Sequence, residues 1–169
     1  MAVELLPVSG ADMEEMTGIF NHYVVHSLAT YTESPVSPER FEALMSFTPG
    51  YPSLVARDSD GVMAGFGLLR PYSLIQAFVS TAELTCFLKK GYTGRGIGTA
   101  ILQALESGAV AMGIRSIVAT VSSLNEESYR FHLARGFIEQ GRLVEIGMRS
   151  GCPFDVVLLQ KMPGYKQMR

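Results

Sequence analysis

Between residues 13 and 24 the apolar positions Met13, Met16, Ile19, Phe20, Tyr23 and Val24 recur at three- and four-residue steps. That is the period of a helix with one buried face. Asp12 stands ahead of it and Glu14 and Glu15 fall in its first turn, so the helix is expected to start with Asp12 as N-cap. A second helix is expected from Ser37, with Pro38 at its first position, to about Thr48, before Pro49 and Gly50. Strand-like runs cover residues 3–7, 53–57, 62–69, 78–88, 116–121, 137–144 and 154–159, with 3–7 expected at an edge. Asp58-Ser59-Asp60-Gly61 reads as a hairpin turn between the second and third. The run 78–88 carries the most apolar character and is expected to be central. Residues 97–112 are helix-periodic and stop at Gly113, and residues 125–135 form a short helix closed by Gly136. The order β-α-α-β-β-β-α-β-α-β-β is that of a mixed α/β fold. Without repeat, linker or low-complexity segment, residues 1–169 are expected to form a single domain.

Composition narrows the function. The chain has 169 residues, 47% hydrophobic and 18% charged, which suits a folded domain with a real core. Net charge is −2 and the basic residues are not clustered, so nucleic acid is not expected as a partner. The start lacks a basic segment followed by an apolar one, and no apolar span approaches membrane length. A soluble, cytoplasmic protein without membrane contact is expected. Cys86 and Cys152 are the two cysteines, too isolated for a zinc site or a disulfide framework. No metal is expected, and both are read as buried thiols. Cys86 as a covalent acyl carrier would need a base that no sequence neighbour supplies.

Candidate chemistry begins at Gly94-Arg95-Gly96-Ile97-Gly98-Thr99, between the central strand and a helix. Glycine allows positive φ and close approach, and a helix start offers unpaired N–H groups to a phosphate. The triphosphate loop is excluded because no Lys-Ser/Thr follows the glycines. The dinucleotide fingerprint fails because Thr99 stands at its last position and strand 116–121 ends without an acid. The remaining pattern, Gly-x-Gly-x-Gly/Ala at a helix start, resembles the acyl-coenzyme-A loop of the GCN5-related N-acetyltransferases. On the central strand, Glu83 interrupts a run that is otherwise apolar. Burying an ionised carboxylate is costly, so Glu83 is a candidate general base; facing water or pairing with an arginine are the alternatives. On the short helix, Asn125, Tyr129 and His132 fall at i, i+4 and i+7 and are expected to share a face.

Four separated segments sharpen the resemblance: Ile19-Phe20-Asn21-His22-Tyr23, Tyr51-Pro52-Ser53-Leu54-Val55-Ala56, Thr81-Ala82-Glu83 and Arg130-Phe131-His132. Together they resemble the phosphinothricin N-acetyltransferase branch of that superfamily, over about residues 3 to 160. The resemblance implies an α/β GNAT-type acyl-CoA N-acyltransferase fold, a mixed central sheet flanked by helices, in which the central strand and the strand after the loop splay apart. It implies acetyl-CoA as acyl donor, held by Cys86, Phe87 and Leu88, by Gly94, Arg95, Gly96, Ile97, Gly98 and Thr99, and by Asn125 and Ser128. Backbone N–H groups of Phe87 or Leu88 would meet the oxyanion. Glu83 and His132 would be the catalytic pair, and Tyr129, His132 or water would return a proton to the thiolate. The implied acceptor is the amino group of a small amino acid or analogue, of the phosphinothricin or methionine sulfoximine type. Tyr31, Glu33, Tyr72 and Arg149 are the candidate acceptor contacts. Other amines (an aminoglycoside, a polyamine, a protein N-terminus) and a non-catalytic acyl-CoA-binding protein remain alternatives. The branch also implies a homodimer through the C-terminal strands. Departures are Thr93 where Gln or Arg is usual, Lys89-Lys90-Gly91 in place of a Pro-containing turn, and Pro153-Phe154 where the branch has Trp in a segment that shapes the acceptor pocket.

Overall fold

The computed structural model describes residues 2–46 and 49–164. Seven strands form one sheet: β1 (Glu4–Pro7), β2 (Ser53–Arg57), β3 (Met63–Pro71), β4 (Thr81–Leu88), β5 (Ser116–Ser122), β6 (Ile138–Arg149) and β7 (Cys152–Lys161). Their order is β1-β2-β3-β4-β5-β7-β6. Every neighbouring pair is antiparallel except β4–β5. Helices α1 (Met13–His26) and α2 (Pro38–Met45) pack on β3 and its neighbours, where Met16, Ile19, Phe20 and Phe41 meet Val55, Phe66 and Leu68. Helix α3 (Ile97–Ala111) covers the opposite face, burying Ile97, Ile101, Leu102 and Leu105 against Ala56, Leu69 and Leu84. Each fully buried side chain of this size contributes about 1.5–3 kcal/mol. Covered on both faces, β3 is buried from Met63 to Leu69, which is why its sequence does not alternate. Helix α4 (Glu126–Ala134) lies beside β5.

Several boundaries differ from expectation for local reasons. Asp12 stands at the N-cap of α1 as expected, but its side chain does not cap the helix, because Ser9 opens a 3-10 turn over Gly10–Asp12 that runs into it. The Asp12 carboxylate turns back to accept from Ser9 N and Oγ at 2.8 and 2.7 Å, and pairs with Arg57 at 2.7 Å. Burial alone would raise its pKa, but the hydrogen bonds from Ser9 and Arg57 hold it below the ordinary aspartate range. Ser37 and Pro38 start α2 as expected. The helix ends at Met45 with Ser46 at φ 49°, and its expected end at Thr48 lies outside the described residues. β4 starts at Thr81 rather than 78, since Gln76–Phe78 makes a 3-10 turn that leaves Phe78 and Val79 exposed. β6 runs five residues beyond 144 through an irregular stretch where Glu145 takes φ 49°. Among the described residues no helix is long and apolar enough to cross a membrane.

Candidate active site

The β4–β5 ladder covers only Thr81↔Ser116, Ala82↔Ile117 and Glu83↔Val118. Beyond Glu83 the strands part: β4 stays with β3 and β5 stays with β7. The expected splay is therefore present, and it opens a cleft along residues 84–88. Lys89 N donates to Ala64 O at 2.8 Å, so odd residues of β4 bond to β3 and even ones face the cleft. Tyr23 agrees, donating its hydroxyl to Leu88 O at 2.7 Å. Of the two oxyanion donors expected, Phe87 N–H belongs to the β3 ladder, and Leu88 N–H faces the cleft.

At the end of the cleft, Gly94 and Gly96 take φ 72° and 81°, and a Cβ on either would meet no described atom within 4 Å. Both face open space in a conformation that other residues rarely adopt. Gly96 is the N-cap of α3, and the first helical bond is Ala100 N to Gly96 O at 3.0 Å. The N–H groups of Ile97, Gly98 and Thr99 precede that bond and have no partner within the helix. Gly98 serves packing instead: a Cβ would lie 3.3 Å from Phe131 and 3.5 Å from Leu88. The Ile97 side chain is core, and Arg95 lies over the Tyr92 ring at 5.4 Å. A cavity of about 250 Å³ runs from Gly94, Gly96, Gly98 and Thr99 past Phe87 and Leu88 to Asn125, Ser128 and His132. Tyr23, Phe131 and Arg135 also line it; Tyr23 and Phe131 lie in segments that carry the family resemblance, but none of the three was selected as a site residue.

Asn125 caps α4, accepting from Ser128 N at 3.1 Å. Tyr129 does not share the face with Asn125 and His132. Its hydroxyl donates to Glu139 at 2.7 Å on β6 and it lines neither cavity. His132 is buried, with Nδ1 2.7 Å from Ser128 O. A carbonyl only accepts, so Nδ1 carries the proton and Nε2 keeps its lone pair when the ring is neutral. Burial pushes the His132 pKa below the ordinary value of 6.5, and the bond to Ser128 O opposes this in part.

A second cavity of about 260 Å³ adjoins the first, sharing Ala29, Cys86, Phe87, Asn125, Ser128 and His132. Glu83 lines it, and so does Arg70, which sequence reading did not select. They face each other in register, with Arg70 Nη2 and Nε at 3.0 and 3.1 Å from Glu83 Oε2. Glu83 thus has a structural partner, the arginine pairing left open as an alternative. Arg70 Nη1 also reaches Leu44 O and Met45 O, at 3.3 and 3.4 Å, at the end of α2. Tyr31 lines this cavity and stacks on Phe154 at 5.5 Å. Burial pushes its pKa up, a hydrogen bond with Thr120 opposes that, and the Glu83 carboxylate adds to it.

Three expected acceptor contacts lie elsewhere. Tyr72 is half-exposed against Phe78. Glu33 accepts from Ser150 N at 3.1 Å. Arg149 is buried and donates to Val24 O at 2.6 Å. Cys86 does face both cavities, and burial pushes its thiol up to about 12. Among the described residues no group of three or more His, Cys, Asp or Glu is placed to hold a metal.

The family model for the acetyltransferase (GNAT) family matches residues 18–137. The chain belongs to the GNAT acetyltransferase family. It is 31% identical over 160 residues to the phosphinothricin N-acetyltransferase of Streptomyces viridochromogenes, covering 94% of this chain and 87% of that one. It is 28% identical over 162 residues to the L-methionine sulfoximine/L-methionine sulfone acetyltransferase of Pseudomonas aeruginosa, covering 95% and 94%. Among solved structures, the GNAT phosphinothricin acetyltransferase of Sinorhizobium meliloti in complex with AcCoA superposes with a TM-score of 0.88. That chain is 28% identical, and the match covers 100% of this chain and 92% of that one. In this GNAT acyltransferase a cleft opens where β4 leaves β5, and the glycine loop closes one end of it.

Proposed function

We propose that this GNAT enzyme transfers the acetyl group of acetyl-CoA to the amino group of a small amino acid or analogue, of the phosphinothricin or methionine sulfoximine type. The observation that carries this reading is the meeting of two cavities at His132, one ending at the glycine loop and the other holding the Arg70–Glu83 pair. The names of the relatives point to the same acceptors. The pyrophosphate would meet the free N–H groups that open α3, and the thioester would lie along the open edge of β4.

An acceptor zwitterion matches an ion pair: its carboxylate would meet Arg70, the one Lys or Arg side chain among the described residues lining that cavity, and its ammonium would meet Glu83. Glu83 takes the amine proton, directly or through a water, and the neutral His132 offers Nε2 as a second acceptor. The free amine attacks the thioester carbon and Leu88 N–H donates to the oxyanion. The nitrogen, now carrying an extra proton, gives it to His132 Nε2; the C–S bond breaks, and the thiolate is protonated by the resulting imidazolium, directly or through a water. Burial pushes the Cys86 thiol up, which disfavours a thiolate nucleophile and an acyl-enzyme and favours direct transfer.

The protein works in the cytoplasm as a homodimer, with no nucleic acid or membrane as partner. Supporting a dimer, edge strand β6 exposes Leu143, Val144, Ile146 and Met148. Light scattering should give twice the 18.4 kDa chain mass. Thiol release from acetyl-CoA, measured across an acceptor panel, tests the substrate class. Methionine sulfoximine and phosphinothricin should react, and their decarboxylated amines should react far more slowly. Preferred use of an aminoglycoside, a polyamine or an N-terminal peptide would overturn the acceptor assignment.

A further inference from the structure

The segment 27–34 between α1 and α2 has no regular structure, yet Ala29, Thr30, Tyr31 and Thr32 form a wall of the acceptor cavity. Its attachments lead to the tip of the β6–β7 hairpin. Arg149 Nη2 donates to Val24 O and Ser27 O, at 2.6 and 3.4 Å, where α1 ends. Ser150 N donates to Glu33 Oε1 at 3.1 Å. Tyr31 stacks on Phe154 with the rings 2° from parallel.

The hairpin is shaped for this. Ser150 and Gly151 take φ 49° and 77°, the two-residue turn that keeps strands in register. Gly147 lies opposite Phe154, where any Cβ would run into the Phe154 ring. A guanidinium that is 4% exposed and has no carboxylate partner among the described residues is costly to bury. Here it meets the carbonyl end of a helix, where positive charge is favoured. Its Nε finds no hydrogen-bond partner among the described residues, so the contacts it does make are with the α1 terminus and the segment that follows.

We propose that Arg149 is a positioning residue: with Glu33 it latches segment 27–34 to the β6–β7 hairpin and so fixes the wall of the acceptor cavity, without touching the acceptor. Given the acceptor cavity assigned above, the latch sets affinity for the amine; it borders the coenzyme cleft only at Ala29 and leaves the glycine-loop end of that cleft unaffected.

The test is made on the full-length protein with Arg149→Met, Arg149→Lys and Glu33→Ala. Hydrogen exchange needs no substrate. Amides of 27–34 should exchange faster in Arg149→Met and in Glu33→Ala, with those of 94–99 unchanged; unaltered protection of 27–34 overturns the latch. In steady state with methionine sulfoximine, Arg149→Met should raise the acceptor KM by about tenfold while the acetyl-CoA KM stays within about twofold. Arg149→Lys, which can still donate to Val24 O, should recover part of the loss. Glu33→Ala should shift the same constant, and the double variant should fall short of the product of the singles. Equal changes in both KM values, or a loss confined to kcat, overturn the positioning role. If Arg149→Met does not fold, Glu33→Ala decides by the same two readouts. A wild-type enzyme that releases no thiol with any amine would count against the acceptor reading, while hydrogen exchange would still decide the latch.

Discussion

Glu83→Gln separates the chemical from the structural task of the Arg70–Glu83 pair. The pair is close, at 3.0 Å, and both side chains are about a quarter exposed. A fully exposed pair contributes about 0–1 kcal/mol and a broken buried one costs about 3–5 kcal/mol. Glutamine keeps a hydrogen bond to Arg70, which places the cost at about 1–2 kcal/mol. For a domain of this size that lowers Tm by about 2–8 °C. It consumes only part of a typical stability of about 5–15 kcal/mol, so the variant stays folded at assay temperature. Turnover should nevertheless fall about 10²–10⁴-fold, the effect of removing a general base, equivalent to about 2.7–5.5 kcal/mol of barrier. Coenzyme affinity should hold, because Glu83 does not line the cavity that ends at the glycine loop, where the coenzyme is proposed to bind. Steady-state kinetics, coenzyme titration and thermal melting on one preparation supply all three numbers. Adding Arg70→Met to Glu83→Gln removes both charges and should recover stability without recovering turnover. If Glu83→Gln keeps activity within a few-fold, or the double variant restores it, Glu83 is a structural partner of Arg70 and not the base.

His132 gives a pH signature whose sign follows from its lowered pKa. Its contribution to stability is intact above the unfolded value near 6.5 and is lost as pH falls toward and through the lower folded value. Denaturant titrations should therefore show stability falling below about pH 6.5, and His132→Gln should reduce that dependence. Gly67→Ala would place a Cβ 2.5 Å from Ile101 and 3.0 Å from Leu105; overpacking should cost about 1–3 kcal/mol, measured by urea unfolding. Gly96→Val puts a β-branched residue at φ 81° where the coenzyme would approach, and calorimetry should show coenzyme A binding greatly weakened.

The strand and helix order was legible because burial imposes its period directly on the sequence, as in α1 and α3. The glycine loop was legible because positive φ restricts residue choice, although Gly98 turned out to serve packing against Phe131. What stayed hidden depends on partners distant in sequence. Arg70 gains meaning from Glu83, thirteen residues on, and from the end of α2. Tyr129 shares the helical spacing of His132 but is drawn to Glu139 on β6. Arg149 and Glu33 carry the charges of ligand-binding residues and are used for internal attachment. Phe78 and Val79 have strand-like character, yet the chain turns there before the ladder begins.

The central claim is direct acetyl transfer between the two cavities that meet at His132. It is tested by mass spectrometry of a reaction holding the enzyme, acetyl-CoA and L-methionine sulfoximine, with free thiol followed in parallel. One N-acetylated amino acid should form for each thiol released, in wild type and Cys86→Ala alike, with no acetyl group on the protein. Thiol release that is independent of the amine, or an acetylated Cys86 that then passes its acetyl group to the acceptor, would contradict the account.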